Sequence, residues 1–283
     1  MASTHESSLD GIADRYSGIM FKDAPAFQDH VLQQIWETRQ HGDGIHTDLE
    51  YTEIAPSWAK SAYSMLEERR LICLTYNPRT EVLKLRAMVT PLHNTDQEWF
   101  ARSREIWLNT GVLNPVERSM LLTSANTKFR LSDYPSRGAE KTPNVGVQLN
   151  GPGLPRVVFE SGFSQSGESL RNDMIDWLLG GGGAVQAVIL VNWKPSQDTM
   201  RIRGDLELWT LGRDGMPRRR KQQQIYPRPP GPAGGQTLRL TRKMLFGNDI
   251  GPGRSPDDAF LLVLDELRTV AAMVMPRMGY QAA

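Results

Sequence analysis

Glu160 is the residue of this sequence whose type and surroundings most clearly require a chemical explanation. It directly follows Val157–Phe159, a β-branched and aromatic run that is typical of a strand covered on both faces. Burying a carboxylate costs several kcal/mol unless the group is paired or binds a metal ion. We therefore expect Glu160 either to be a structural acid paired with Arg156 or Arg171, or to belong to a functional site.

Other polar residues could join such a site, and each also has a purely structural interpretation. Asn144 could offer a carbonyl oxygen to a cation or only form a turn. Arg171 and Asp173 lie within one turn of a predicted helix, either at a site or on a solvated face. His93 precedes another predicted helix and is either a helix-entry residue or a substrate contact. The remaining candidates are the acids Glu98 and Glu105 and the amide Gln165.

Four consecutive cations occupy residues 218–221, namely Arg218, Arg219, Arg220 and Lys221. The chain is otherwise balanced, with 33 basic and 32 acidic side chains, so its net charge gives no support for non-specific binding to nucleic acid. Residues 212–235 are rich in Pro and Gly, which predicts a long loop there. The basic run is either a solvated part of this loop or a local contact to nucleic acid.

The elements that position these residues follow from hydrophobic periodicity and turn signals. Thr95 and Glu98 form a capping-box pattern, which predicts a helix from Thr95 to about Leu108. Across residues 95–193 the predicted order is helix, three strands, helix and strand. This order indicates an α/β fold with a mixed sheet. The predicted elements after the first helix are strands over 120–131, 145–149 and 155–161, a helix over 168–179, strands over 184–193, 201–211 and 237–240, and a helix over 257–275.

Composition limits the class of protein. The single cysteine, Cys73, excludes an internal disulfide and fits a reducing compartment. No apolar run is long enough to cross a membrane, and residues 1–15 resemble neither a secretory signal nor a transit peptide. We expect a cytoplasmic or nuclear protein without a membrane partner, and nothing in the sequence indicates its oligomeric state. The predicted organisation is a disordered tail over 1–20, a helical N-terminal elaboration over 21–80, a core over 81–211, and a loop-rich extension with a final helix over 212–283.

A family resemblance follows from the residues around Glu160. The run P-x-V-V-x-E-x-G-x-S-x-S, followed by L-R-x-D, W-L and V-x-x-V-I-L-V, resembles the restriction-endonuclease-like, PD-(D/E)XK, superfamily. Within it, the chain is most similar to a branch of small endonuclease domains common in fungal and bacterial genomes. The resemblance covers roughly residues 80–211. It implies a restriction-endonuclease-like core, a central mixed sheet flanked by helices, and Mg²⁺-dependent cleavage of phosphodiesters.

The family motif transfers to this chain only in part. Its third-strand glutamate corresponds to Glu160, but its lysine position, two residues later, is Gly162. Its second-strand acid corresponds to Asn144, which brings no charge. In some branches the basic residue lies on the following helix, where Arg171 is the candidate, although arginine cannot act as a base near neutral pH. A Mg²⁺ ion held by Glu160 and Asn144 would bind weakly; compensation could come from Glu98, Glu105 or Gln165.

These observations leave three functional hypotheses. The first is a nuclease-like protein with weak or lost phosphodiesterase activity, which binds nucleic acid near Glu160 through residues 218–221 and His93. The second is an enzyme that reuses the pocket for a small-molecule or RNA-linked substrate, with Glu160 as general acid or base, because an apolar strand raises the pKa of a carboxyl. The third is an active nuclease in which Glu98 or Glu105 replaces the missing acid.

Overall fold

The structure is a computed structural model of the chain. It describes residues 14–40, 47–66, 72–87, 90–125, 127–133, 135–163, 167–196 and 198–283. Residues 1–13 of the predicted disordered tail and the candidate Gln165 therefore lie outside the described residues. Residues 14–20 of that tail form a strand and a 3₁₀ turn.

Helices and strands are both distributed along the whole described chain. The N-terminal part contains β1 (Asp14–Ser17), α1 (Ala24–Gln40), β2 (Thr47–Thr52), α2 (Pro56–Leu66), β3 (Ile72–Asn77) and β4 (Val82–Ala87). The middle contains α3 (Thr95–Asn109), α4 (Pro115–Met120), β5 (Leu121–Ser124), β6 (Phe129–Arg130), β7 (Glu140–Lys141), β8 (Val145–Leu149), β9 (Val157–Phe163) and α5 (Gly167–Gly180). The remainder contains β10 (Ala187–Ser196), β11 (Arg201–Leu211), β12 (Pro217–Tyr226), β13 (Thr237–Thr241), α6 (Arg242–Phe246), β14 (Ala259–Val263), α7 (Leu264–Val274) and β15 (Gln281–Ala282).

The first sheet has a hydrophobic core of its own. Its six strands follow the order β1-β2-β4-β3-β7-β6, and it is mixed because β1 and β2 are parallel. Phe27, Val31 and Ile35 recur at helical spacing along α1 and are fully buried. They join residues of α2, β2, β3 and β4 in one cluster of buried side chains. The predicted helical elaboration over residues 21–80 therefore also contributes strands to a sheet.

The second sheet carries Glu160. Its path runs β12-β11-β10-β9-β8-β5, with β15 paired to β11. The neighbours β9 and β10 are parallel, and α5 connects them and packs on both. Every residue of β9 is buried, so the prediction of a strand covered on both faces is confirmed. One of its faces contacts α5, and the other contacts a larger core that includes α3 and α7.

A two-stranded antiparallel sheet of β13 and β14 completes the larger core. Two tryptophans of α3 reach its backbone. Trp99 Nε1 donates to the Val263 carbonyl and Trp107 Nε1 to the Leu261 carbonyl, each at 2.8 Å. These hydrogen bonds attach the backbone of β14 to α3, a helix that is distant in the sequence.

Several predicted elements are wrong in type or extent. Residues 217–226 form β12, not a loop, because their backbone pairs with β11. The helix predicted over 257–275 is β14 followed by α7, and the strand predicted over 120–131 divides into β5 and β6, which belong to different sheets. Helix α3 begins at Thr95, as predicted. The predicted capping box is wrong, however, because the Thr95 hydroxyl donates to the Leu92 carbonyl and no side chain caps the helix.

At the level of fold class, the prediction is confirmed. The described residues form an α/β fold with mixed sheets and flanking helices. Within the described part of the chain, no helix combines the length and the apolar character needed to span a bilayer.

Candidate functional site

Strand β9 places Glu160 in buried contact with α5. The Glu160 side chain is 2% exposed, and its Oε1 accepts a hydrogen bond from Trp177 Nε1 at 2.6 Å. Trp177 is itself fully buried on the inner face of α5. A hydrogen bond to a carboxylate satisfies both buried groups, which explains how this strand tolerates an acid.

Lys141 supplies a cation to the same buried region, and sequence reasoning missed it. It is 2% exposed, and its Nζ lies 2.6 Å from Asp173 Oδ1 and 3.1 Å from Asp176 Oδ2. Burial alone would lower the pKa of Lys141, but Asp173, then Asp176, then Glu160 raise it above its ordinary value. The ammonium therefore stays charged and neutralises acids of α5. Asp173 is buried and paired, and does not lie on a solvated face.

Of the other predicted partners, Asn144 is the one that the strand register brings close to Glu160. Val145 of β8 is in register with Phe159 of β9, so the antiparallel pairing places Asn144 beside Glu160. Their proximity was inferred from the family motif, and the sheet provides a physical basis for it.

The remaining predicted partners lie elsewhere. Glu98 is exposed and pairs with Arg102 at 2.9 Å, and α3 packs on the opposite face of β9 from α5. Glu105 is exposed and pairs with Arg118 at 2.9 Å. Arg171 is exposed and reaches Glu207 at 3.4 Å. The structure therefore brings neither of the proposed replacement acids to Glu160, and it pairs Arg171 with a different acid.

A different acid of α3, Asp96, is the electrostatic neighbour of Glu160. Asp96 is fully buried, on the face of β9 that carries Ser161. Burial raises the pKa of Asp96 well above its ordinary value; the Ser161 hydroxyl acts in the opposite direction, and the charge of Glu160 raises it further. Ser161 lies beside the carboxyl, but neither Asp96 oxygen completes a hydrogen bond of standard geometry to a described residue. His93 is buried nearby in the chain, with Nδ1 3.0 Å from Thr90 Oγ1, as expected for a helix-entry residue.

The donor set around Glu160 fits Mg²⁺ poorly. Among the described residues, no group of three His, Cys, Asp or Glu side chains could hold a metal ion. One Glu160 oxygen accepts from Trp177, and the positive charge near the buried acids comes from Lys141. Mg²⁺ requires several oxygen ligands and usually keeps bound water, which a closed site with an internal ammonium does not provide.

The basic run lies on an edge strand, and its four cations have different surroundings. Arg218 pairs with Asp214 at 2.5 Å, and Arg219 pairs with Glu207 at 3.0 Å. Arg220 Nε donates to Thr210 Oγ1 at 2.7 Å, and its Nη2 donates to the Leu211 carbonyl at 3.3 Å. Lys221 is exposed and forms no ion pair with any residue that the structure describes. Carboxylates thus neutralise the first two cations and leave the charge of the last two uncompensated.

A β-bulge directs Arg220 and Lys221 to the same side of the sheet. Lys221 is in register with Leu208 and Arg219 with Trp209, so Arg220 is the extra residue between them. Glu160 of β9 and Glu207 of β11 are both in register with Leu190 of β10, so their side chains lie on the same face of the sheet. Leu208, the next residue of β11, lies on the opposite face. The two cations therefore point away from Glu160.

The two cations line a cleft of about 690 Å³ between β11–β12 and the β13–β14 sheet. The lining residues are Val185, Gln186, Leu208, Thr210, Leu211, Arg220, Lys221, Thr237, Arg239, Thr241, Met244 and Leu261. Sequence reasoning did not find this cleft. Its only signal in the sequence was the basic run, because the partners of that run on β13 and β14 are distant in the chain.

No protein-family model matches the chain, and no curated protein matches its sequence. The restriction-endonuclease-like resemblance therefore stays a prediction that rests on the residues around Glu160.

Proposed function

We propose that this protein binds nucleic acid through Arg220 and Lys221, and that its Mg²⁺-dependent phosphodiesterase activity is weak or lost. The observation that carries the proposal is the uncompensated charge of these two cations beside an open cleft. Phosphates are the ligands that such a surface attracts, because neutralising them releases condensed counterions.

The proposed loss of cleavage follows from the surroundings of Glu160. A Mg²⁺-dependent nuclease needs its metal ion in contact with both its carboxylates and the scissile phosphate. Glu160 is instead buried against Trp177 and near Lys141, on the face of the sheet away from the cleft. The same burial argues against a general acid or base that meets a substrate at Glu160.

We also propose that the core is restriction-endonuclease-like. The antiparallel pair β8–β9, followed by α5 and the parallel strand β10, agrees with what the resemblance implies. Under this proposal, Asn144 and Glu160 are the remains of a metal site whose lysine position is now Gly162.

The test compares two double variants that remove the same charge. Arg220→Gln with Lys221→Gln should weaken oligonucleotide binding and reduce the slope of log K against log salt by about two units, one for each lost phosphate contact. Arg218→Gln with Arg219→Gln is the matched control and should change the slope little, because these two cations are already paired with Asp214 and Glu207. Fluorescence titrations at several salt concentrations measure both. Equal slopes for the two double variants, or no binding by the parent protein, would refute the proposal.

A further inference from the structure

The cleft beside β12 has the size and lining of a ligand site. Its volume of about 690 Å³ lies within the range of about 300–1,000 Å³ that is usual for small-molecule pockets. Val185 and Leu208 form a buried apolar floor, and the exposed Leu261 and the half-buried Met244 also line the cleft. Such a floor favours a flat, weakly polar body over a hydrated ion.

Two arginines in the cleft are held in place without losing their charge. Arg220 is fixed by the Thr210 hydroxyl and the Leu211 carbonyl. Arg239 Nη2 donates to the Asp257 carbonyl at 2.6 Å. These acceptors are neutral, so they orient the guanidinium groups and leave their positive charge for a ligand.

Charge in the cleft has a single sign. Lys221 adds a third cation to Arg220 and Arg239, and none of the described residues that line the cleft is acidic. Thr237 supplies a hydroxyl group to the cleft, and the Thr241 hydroxyl, which also lines it, accepts from the Met244 N–H. A ligand that fits must therefore combine a flat, weakly polar part with an anionic group of strong hydrogen-bond acceptors.

We propose that the cleft binds one nucleotide unit, with the base on the apolar floor and the phosphate against Arg220, Lys221 and Arg239. A concave pocket of this size cannot enter a groove of a duplex, which is read by a protruding helix or ribbon. The unit is therefore an unpaired nucleotide of a single strand. This inference deepens the proposed function and rests on it for the source of the nucleotide.

The experiment uses the full-length chain and four probes in isothermal titration calorimetry: adenosine 5′-monophosphate, adenosine, inorganic phosphate and a short single-stranded oligonucleotide. We expect the monophosphate and the oligonucleotide to bind, and adenosine and phosphate to bind at least about tenfold more weakly, since each lacks half of the recognised unit. Arg239→Gln should weaken binding of the monophosphate about tenfold or more, because it removes a hydrogen bond to a charged group.

A cavity-filling variant tests the place of binding. Thr237→Trp should occlude the cleft and abolish binding of the monophosphate without changing the net charge. Thr269→Trp is the matched control, since Thr269 is exposed on α7 outside the cleft, and it should bind like the parent. If Thr237→Trp does not fold, the effect of Arg239→Gln on monophosphate binding tests the place of binding instead.

The outcomes separate the two proposals. Oligonucleotide binding that is unaffected by Thr237→Trp and Arg239→Gln would overturn the cleft inference and leave the proposed function intact. Binding of the monophosphate without any oligonucleotide binding would overturn nucleic acid as the source and assign the cleft to a free nucleotide. Failure of the parent protein to bind either probe would overturn both.

Discussion

Ionisable side chains share the buried space between β9 and α5, and none of them is stable there alone. Glu160 depends on the indole of Trp177, and Lys141 depends on Asp173 and Asp176. Removing one member of such a group leaves another charge buried without its partner, which costs more than the pair contributes. At the scale of single residues, these groups therefore behave as one unit that fixes α5 on the sheet.

Glu160→Gln should lower the free energy of unfolding by about 1–3 kcal/mol and leave nucleic-acid affinity unchanged. The amide can still accept from Trp177, but the hydrogen bond loses its charge, and hydrogen bonds to charged groups are the stronger ones. Affinity should not change, because Glu160 faces α5, away from the cleft. Urea unfolding and the oligonucleotide titration measure the two quantities.

Glu98→Gln is the control for this substitution, since Glu98 is exposed and, within the described part of the chain, its ion pair is with Arg102 of its own helix. It should change stability by less than about 0.5 kcal/mol. Unchanged stability of Glu160→Gln together with loss of a catalytic activity would instead favour Glu160 as a general acid or base.

Asp96→Asn should stabilise the protein increasingly as the pH rises from 4. Below about pH 3.9, Asp96 is protonated in both the folded and the unfolded chain. Above it, the unfolded carboxyl ionises while burial holds the proton on the folded one, so parent stability falls by up to about 1.4 kcal/mol per pH unit until the raised folded pKa is reached. Asparagine has no proton to retain, so this loss is absent.

The measurement is the difference in unfolding free energy between Asp96→Asn and the parent from pH 4 to pH 8. Asp198→Asn makes the same chemical change at an exposed turn and is the control for the substitution itself. A flat difference for Asp96→Asn would mean that its carboxyl is ionised in the folded protein.

At the scale of elements, hydrophobic periodicity predicted the helices and strands whose structure is determined by their own residues. The buried strand β9, the helix α5 and the start of α3 carry apolar residues at strand or helix spacing. Strand β12 has no such pattern, because its exposed Arg, Lys and Gln residues gain their structure from hydrogen bonds to β11. In β14, the run Ala259–Val263 continues directly into α7, so the two elements read as one helix in the sequence.

The candidate site was likewise predictable from the sequence only in part. The burial of Glu160 followed from its neighbours in the chain. Its partners did not, because Trp177 is 17 residues away and Lys141 reaches α5 from another sheet. Contacts between distant segments depend on how helices and sheets pack, which residue spacing alone does not encode.

At the scale of the whole molecule, the N-terminal hydrophobic core is separate from the two clusters of buried side chains that cover the faces of the second sheet. The buried side chains of α1, α2 and β2–β4 form a cluster that shares no member with the larger core. The described pairing that continues the first sheet into β7 is the single registered pair Tyr76 and Glu140. We therefore expect the N-terminal core to open without the second sheet.

Leu83→Ala tests this expectation by hydrogen exchange. Leu83 is fully buried in β4, so its truncation should cost about 2–5 kcal/mol of local stability. Amides of β2–β4 should then exchange faster while those of β9–β11 keep their protection. Leu206→Ala, in the second sheet, should give the reverse pattern. Equal loss of protection in both sheets would show that the chain unfolds as one unit.

The two tryptophan hydrogen bonds to β14 have a consequence for self-association. A two-stranded sheet normally leaves a row of free carbonyls along which another chain could add a strand. Here the carbonyls of Leu261 and Val263 are already occupied by the indoles of Trp107 and Trp99. Along β12, Arg268 occupies the carbonyls of Gln224 and Ile225, and the uncompensated cations Arg220 and Lys221 would repel the same strand of a second copy. Self-association is thus opposed at β14 by a hydrogen-bonded helix, and at β12 by like charge that a polyanion would neutralise.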